Sequence, residues 1–108
     1  MLKKSERLDR PSFTTYFKKG KKINGMYTTI VTHSSPTLKA AVVVGKKVSK
    51  KAVTRNSIRR RLYGILETLR QQQKLTGVFI IIAKPEVTKL TKKAFTTTLL
   101  EEVGRVLK

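Results

Sequence analysis

The chain has no cysteine, one histidine and only six acidic residues among 108. Each scarcity removes a class of chemistry. Without thiols there are neither disulfides nor thiolate metal sites. His33 sits beside a Ser34-Ser35-Pro36 loop with no second imidazole, cysteine or nearby carboxylate, so it reads as a loop residue rather than a ligand or base. Nucleophile-and-base arrangements would need a partner that it lacks. The one adjacent acidic pair, Glu101-Glu102, falls on the polar side of an amphipathic helix, which is not the placement of paired catalytic carboxylates. A nuclease that holds its own metal ions would need several carboxylates converging, and no metal-binding set is expected here. Gly-rich phosphate loops are missing as well: GKKVSKK, from Gly45 to Lys51, has a single glycine. The apolar runs are too short to cross a bilayer and no secretory segment follows Met1, so a cytoplasmic protein without membrane contact is expected. The polypeptide is a poor candidate for carrying bond chemistry alone.

What the chain has in excess is positive charge. Lys and Arg number 25 against the six acids, a formal charge of +19. Such self-repulsion opposes compaction, and a polyanionic partner is its natural counterpart. Between Arg10 and Leu66 there are 14 basic residues and no acid, whereas Glu6, Asp9, Glu67, Glu86, Glu101 and Glu102 all lie outside that span. A merely soluble surface mixes both signs.

The stretch from Lys46 to Arg61, KKVSKKAVTRNSIRRR, concentrates this charge: half of its 16 residues are basic. Lys46, Lys47, Lys50 and Lys51 form a lysine loop around Val48-Ser49. A helical pattern follows, with Ile58, Leu62, Ile65, Leu66 and Leu69 on one apolar stripe. Asn56, Arg59, Arg60 and Tyr63 fall together on the adjoining face, and Arg55 at the edge of the stripe. The helix has a side to bury and a side that offers guanidinium groups, an amide and a ring. Its positive N-terminal end lies against the lysine loop, where backbone N–H groups can bind phosphate. The element reads as phosphate-facing, with RNA the expected ligand.

Around it the coarse order is helix, two or three strands, helix, strand, helix, an α+β sandwich in one domain. The first ten residues are polar and basic and are expected to be mobile until they meet a partner. Pro11-Ser12 opens a short helix that ends near Gly20, with Phe13 and Phe17 one turn apart. Those rings have two readings: core anchors, or a platform for unpaired bases at about 1–3 kcal/mol per base. Asn24-Gly25 signals a turn between a strand at 21–23 and one at 27–33. Leu38 to Val44 reads as a further strand, apolar enough at 41–44 to be central. The central helix spans Ala52 to the Gln71-Gln72-Gln73 segment, with Gly64 marking close packing. Val78 to Ala83, an unbroken apolar run, suits a strand covered on both faces. Thr91 is a candidate cap for a last helix, burying Phe95, Leu99, Leu100, Val103 and Leu107 and leaving Glu101, Glu102 and Arg105 outside.

The segment from Ala52 to Leu62, preceded by Val44-Gly45-Lys46-Lys47-Val48-Ser49, resembles the Arg-Asn signature of the bacterial ribonuclease P protein component. Phe13, Phe17 and Gly20 resemble that family's F-x-x-x-F-x-x-G segment, and Phe79 to Pro85 its last strand and following turn. The resemblance covers most of the chain in the right order. There are departures: Ser57 stands where the family is often basic, Tyr63 where it usually has arginine, and the lysine loop is one residue longer than common versions.

The resemblance implies a single ribonuclease P protein domain over 1–108. The implied fold is αβββαβα, the ribosomal protein S5 domain 2-like class, with the signature helix in a left-handed β-α-β crossover. It also implies a protein cofactor of a ribozyme: the RNA subunit, with Mg2+, removes the 5′ leader of precursor tRNA, and the protein binds both the catalytic RNA and the leader. By position, the resemblance carries Lys46, Lys47, Arg55, Asn56, Arg59 and Arg60 over as contacts to the catalytic RNA or to the substrate near the cleavage site. Lys50, Lys51 and Tyr63 join them as RNA-facing candidates on the residue pattern. Phe13 and Phe17 would line the leader cleft with Tyr27 or a neighbour. No obligate protein partner is expected. The alternatives are a general RNA-binding or ribosomal-type protein, a DNA-binding protein, for which no helix-turn-helix spacing is visible, and a protein-only metal nuclease.

Overall fold

The computed structural model describes residues 7–72 and 76–107. Its elements are α1 (Arg10–Lys19), β1 (Lys21–Asn24), β2 (Thr28–His33), β3 (Leu38–Val43), α2 (Ala52–Gln72), β4 (Gly77–Ala83), a 3₁₀ turn (Pro85–Lys89) and α3 (Lys92–Leu107). The strands form one sheet in the order β1-β2-β4-β3, antiparallel except for the parallel pair of β3 and β4 that α2 connects. The α+β reading holds, and the unbroken apolar run of β4 is central as expected. β3 is not central. It is an edge strand, and it ends at Val43.

Alternation along the strands gives the sheet two apolar faces. Ile30, Leu38, Ala40, Val42, Phe79, Ile81 and Ala83 point to one side, where α2 contributes its stripe and α3 adds Phe95, Leu99 and Val103. Ile58, Leu62, Ile65, Leu66 and Leu69 are the buried residues of α2, the five that the 3.6-residue period selects. The Leu107 side chain and Gln73 lie outside the described residues. On the opposite side Val31, Val78 and Ile80 are covered by Leu8 and by Phe13, Tyr16 and Phe17 of α1.

Helix ends follow local chemistry. α1 begins one residue before Pro11, because the Asp9 carboxylate accepts from the Ser12 N–H at 2.9 Å. That bond holds the Asp9 carboxyl below its ordinary pKa. Thr91 caps α3 through Oγ1, which accepts from the Ala94 N–H at 3.2 Å. Residues 7–10 are anchored rather than loose: Arg7 bridges β3 at Ala40, and the Leu8 N–H donates to the Ala40 carbonyl at 2.9 Å. Residues 1–6 of the expected mobile tail lie outside the described residues.

Glu102 departs from expectation too. It turns inward and accepts from the N–H groups of Met26 and Tyr27 and from the Thr28 hydroxyl, at 2.7–3.2 Å, clamping the β1–β2 turn onto α3. A side chain at residue 25 would lie 2.6–3.0 Å from that carboxylate, so a larger residue there would displace the Glu102 clamp. Glu101 stays outside and pairs with Arg105.

Two further glycines make a contrast. Gly20 ends α1 with φ of −71°, an ordinary backbone, but a Cβ there would press on the Tyr16 carbonyl at 2.8 Å and the Thr32 carbonyl at 2.9 Å. Gly64 in α2 faces open space, not the close packing expected of it. Gly64→Ala is therefore expected to raise stability by about 1 kcal/mol, while Gly20→Ala lowers it. Urea unfolding of both variants at one salt concentration checks this, and a destabilised Gly64→Ala would contradict the open surroundings.

Candidate nucleic-acid interface

Two buried valines shape the lysine loop. Val44 and Val48 are 5% and 8% exposed, and the Val48 N–H donates to the Gly45 carbonyl at 3.1 Å. With both anchors sunk into the core, Lys46, Lys47, Lys50 and Lys51 all point to solvent. They surround the start of α2, whose first turn carries no acid to offset the helix dipole. Arg55 has a different use from its neighbours. Its Nη1 donates to the Ser49 and Lys50 carbonyls, each at 2.9 Å, so it ties the loop to the helix.

The next turns of α2 carry the face that the spacing selects. Asn56, Arg59, Arg60 and Tyr63 line one shallow hollow. Arg59 Nη1 donates to Asn56 Oδ1 at 2.7 Å, and Arg60 is exposed. Tyr63 is half-buried, one edge against the core and its face under the Arg7 guanidinium, 5.8 Å from the ring centroid. Arg7 completes this hollow although its sequence surroundings read as a tail. The signal that would have found it is a parallel bridge to an edge strand, which no local pattern carries.

Phe13 and Phe17 stack with centroids 5.7 Å apart and planes 23° from parallel. The Lys22 ammonium stands 4.7 Å from the Phe17 centroid. Both rings are half-buried: one side packs on Val31, Val78 and Ile80, and the rest stays open. Ala41 and Val43 of β3 and Ile82 of β4 share that side of the sheet and are also only half-covered. They leave an apolar strip that leads, past Val43, to the lysine loop. Tyr27 is not brought together with the phenylalanines. It packs against the α2/α3 side of the sheet, near Glu102. The turn clamped by Glu102 precedes the strand, so strand alternation does not govern where Tyr27 points.

Among the described residues no three His, Cys, Asp or Glu side chains converge as a metal-binding group. No helix among them is long and apolar enough to cross a membrane.

A family model described as Ribonuclease P matches residues 2–107. The chain belongs to the ribonuclease P protein family. A curated relative from Thermus brockianus, the Ribonuclease P protein component, is 35% identical over 91 residues, which are 84% of this chain and 51% of that protein. The chain therefore spans about half the length of the curated relative it matches. The ribonuclease P fold is shared with solved structures. The RNase P protein of Thermotoga maritima gives a TM-score of 0.80 at 23% identity, over 95% of this chain and 96% of that one. That of Staphylococcus aureus gives 0.80 at 20% identity, over 97% and 100%. A Staphylococcus aureus RNase P protein mutant with defective mRNA degradation activity gives 0.83 at 22% identity, over 95% and 88%.

The loop tie generates a prediction. Arg55→Ala removes two hydrogen bonds to the lysine loop and is expected to cost about 1–3 kcal/mol of local stability. Amide hydrogen exchange should quicken across residues 48–51 while β4 stays protected; unchanged exchange there would mean that Arg55 does not hold the loop.

Proposed function

We propose that this chain is the protein subunit of a bacterial ribonuclease P, a cytoplasmic ribonucleoprotein whose RNA component cleaves precursor tRNA to release the 5′ leader. The observation that carries the reading is the pairing, on a member of this family, of a lysine loop with a stacked Phe13–Phe17 platform along one open apolar strip. Lysines give salt-dependent phosphate affinity with little sequence choice, and open rings hold unpaired bases. A subunit that serves many precursors needs that tolerance.

In this reading Lys46, Lys47, Lys50 and Lys51 neutralise phosphates near the start of α2. Asn56, Arg59, Arg60 and Tyr63, joined by Arg7, face the catalytic RNA. Arg55 serves as the brace of the loop. Phe13 and Phe17 stack leader bases, and Val43 and Ile82 form the floor of the cleft in place of Tyr27. The described carboxylates offer no converging set for Mg2+, so the proposal leaves the ions, and the bond cleavage they support, with the RNA subunit.

The test is cleavage of a 5′-extended precursor tRNA at low magnesium by the protein alone, a bacterial ribonuclease P RNA alone, and the two mixed. Activity confined to the mixture is the expected result. Cleavage by the protein alone would overturn the division of labour, and tight RNA binding without stimulation would favour a general RNA-binding role. Within the active mixture, Phe17→Ala is expected to weaken precursor tRNA by about 1–3 kcal/mol per base stack lost while sparing mature tRNA. Equal losses on both substrates would rule out the leader platform.

A separate expectation concerns α2. Arg59→Ala and Arg60→Ala should each make the salt dependence of catalytic-RNA binding shallower by about one unit per lost phosphate contact. Titrations across a salt series read this directly, and an unchanged slope means that those guanidinium groups do not face phosphate.

A further inference from the structure

The sheet has two ends of different character. At one, β3 runs into the lysine loop. At the other lie the starts of β1 and β4 and the end of β2, with Lys21 opposite Thr32, His33 opposite Val78 and Leu38 opposite Gly77. Strands of six residues separate these ends by about 20 Å. The last turn of α1 reaches the second end, followed at once by Gly20 and Lys21.

Two hollows open there and meet at Lys19 and His33. One is lined by Lys19, Lys21 and the hydroxyl-bearing Thr32, Ser34, Ser35 and Thr76. The other runs along the flank of α1 beside Tyr16, whose ring lies 5.0 Å from that of the exposed His33 at a tilt of 54°. Among the described residues no acidic side chain lines either hollow. Among the described residues neither Lys19 nor Lys21 has an ion-pair partner. Offsetting the C-terminal dipole of α1 accounts for Lys18 and Lys19. It does not account for Lys21, for the hydroxyl groups around it, or for the exposed His33 ring beside the half-buried Tyr16.

We propose that this far end of the sheet is a second contact site for single-stranded RNA, taking the 5′-ward part of the leader after it has passed the Phe13–Phe17 platform. The inference rests on the leader reading above. Phe13, Tyr16, Phe17 and Lys19 sit on one helix, so a strand that follows α1 away from the lysine loop arrives at Lys19, Lys21 and His33. The two ammonium groups neutralise phosphates, the hydroxyl groups hydrogen-bond to phosphate oxygens or to ribose, and the Tyr16–His33 pair offers an open ring to a base. Short leaders end before this site, and long ones reach it.

The experiment measures binding by the reconstituted holoenzyme of precursor tRNAs with leaders of about 4 and about 12 nucleotides, a range spanning known single-strand site sizes. Three proteins are compared: wild type, Phe17→Ala, and the combined Lys19→Ala, Lys21→Ala and His33→Ala variant. Wild type is expected to bind the long leader more tightly than the short one. The combined variant should lose that advantage while keeping short-leader affinity and assembly with the catalytic RNA. Raising salt from about 50 to 200 mM should erode the wild-type advantage about sevenfold more than any left in the variant, for two phosphate contacts at a slope of about 0.7 each. A combined variant that keeps the full advantage overturns the distal site, and a Phe17→Ala loss on both leaders then leaves the platform standing. A wild type indifferent to leader length overturns the distal site as well; if Phe17→Ala is also without effect, the leader reading falls with it.

Discussion

Because β3 and β4 run parallel, the chain that leaves β3 at Val43 must travel the length of the sheet before β4 can begin at Gly77. α2 makes that journey, pressing Ile58, Leu62, Ile65, Leu66 and Leu69 onto the sheet as it goes. Burying each such side chain contributes about 1.5–3 kcal/mol. The opposing repulsion of a +19 chain acts mostly between exposed groups, which salt screens beyond about 8 Å. Apolar burial therefore outweighs charge, and the helix can carry arginines on its outer face without losing its seat. The same crossover puts the lysine loop at the C-terminal end of β3 and the start of α2 directly behind it.

Positive charge in this chain has two uses, and composition does not separate them. Several basic groups are engaged by the protein itself. Arg55 holds loop carbonyls, Lys84 Nζ donates to the Gly25 carbonyl at 2.7 Å, and Lys22 lies over Phe17. Arg61 covers the Phe95 ring, with its guanidinium 5.6 Å from the centroid. The lysines at 46, 47, 50 and 51 project freely because the valines between and before them are buried. A basic residue stands outward where its apolar neighbours are anchored, and turns inward where a carbonyl or ring lies in reach.

The two faces of the sheet are covered unequally. α2 and α3 close one side, and Glu102 locks the β1–β2 turn against α3. On the other, the ten residues of α1 are too few to cover four strands. They leave Ala41, Val43 and Ile82 half-exposed beside two stacked rings. That open strip is a consequence of element length, and it gives the molecule an apolar path between the lysine loop and the far end of the sheet.

Local signals in the sequence were sufficient for the helices and strands of this protein, though not for the 3₁₀ turn at Pro85–Lys89. Periodicity selected the five buried residues of α2 and put Asn56, Arg59, Arg60 and Tyr63 on one face, because a helix repeats every 3.6 residues whatever it packs against. Turn and cap residues such as Asn24-Gly25 and Thr91 worked for the same reason. The tertiary structure decided whatever depends on residues distant in the chain. It made β3 an edge strand and drew Arg7 across to Tyr63. It turned Glu102 inward onto a turn 74 to 76 residues away, and with it set Tyr27 on the side opposite Phe13 and Phe17. It also gave Gly20 a steric reason and Gly64 none. Neighbours along the chain determine an element's type and its faces; which neighbour lies across each face is determined only when the sheet closes.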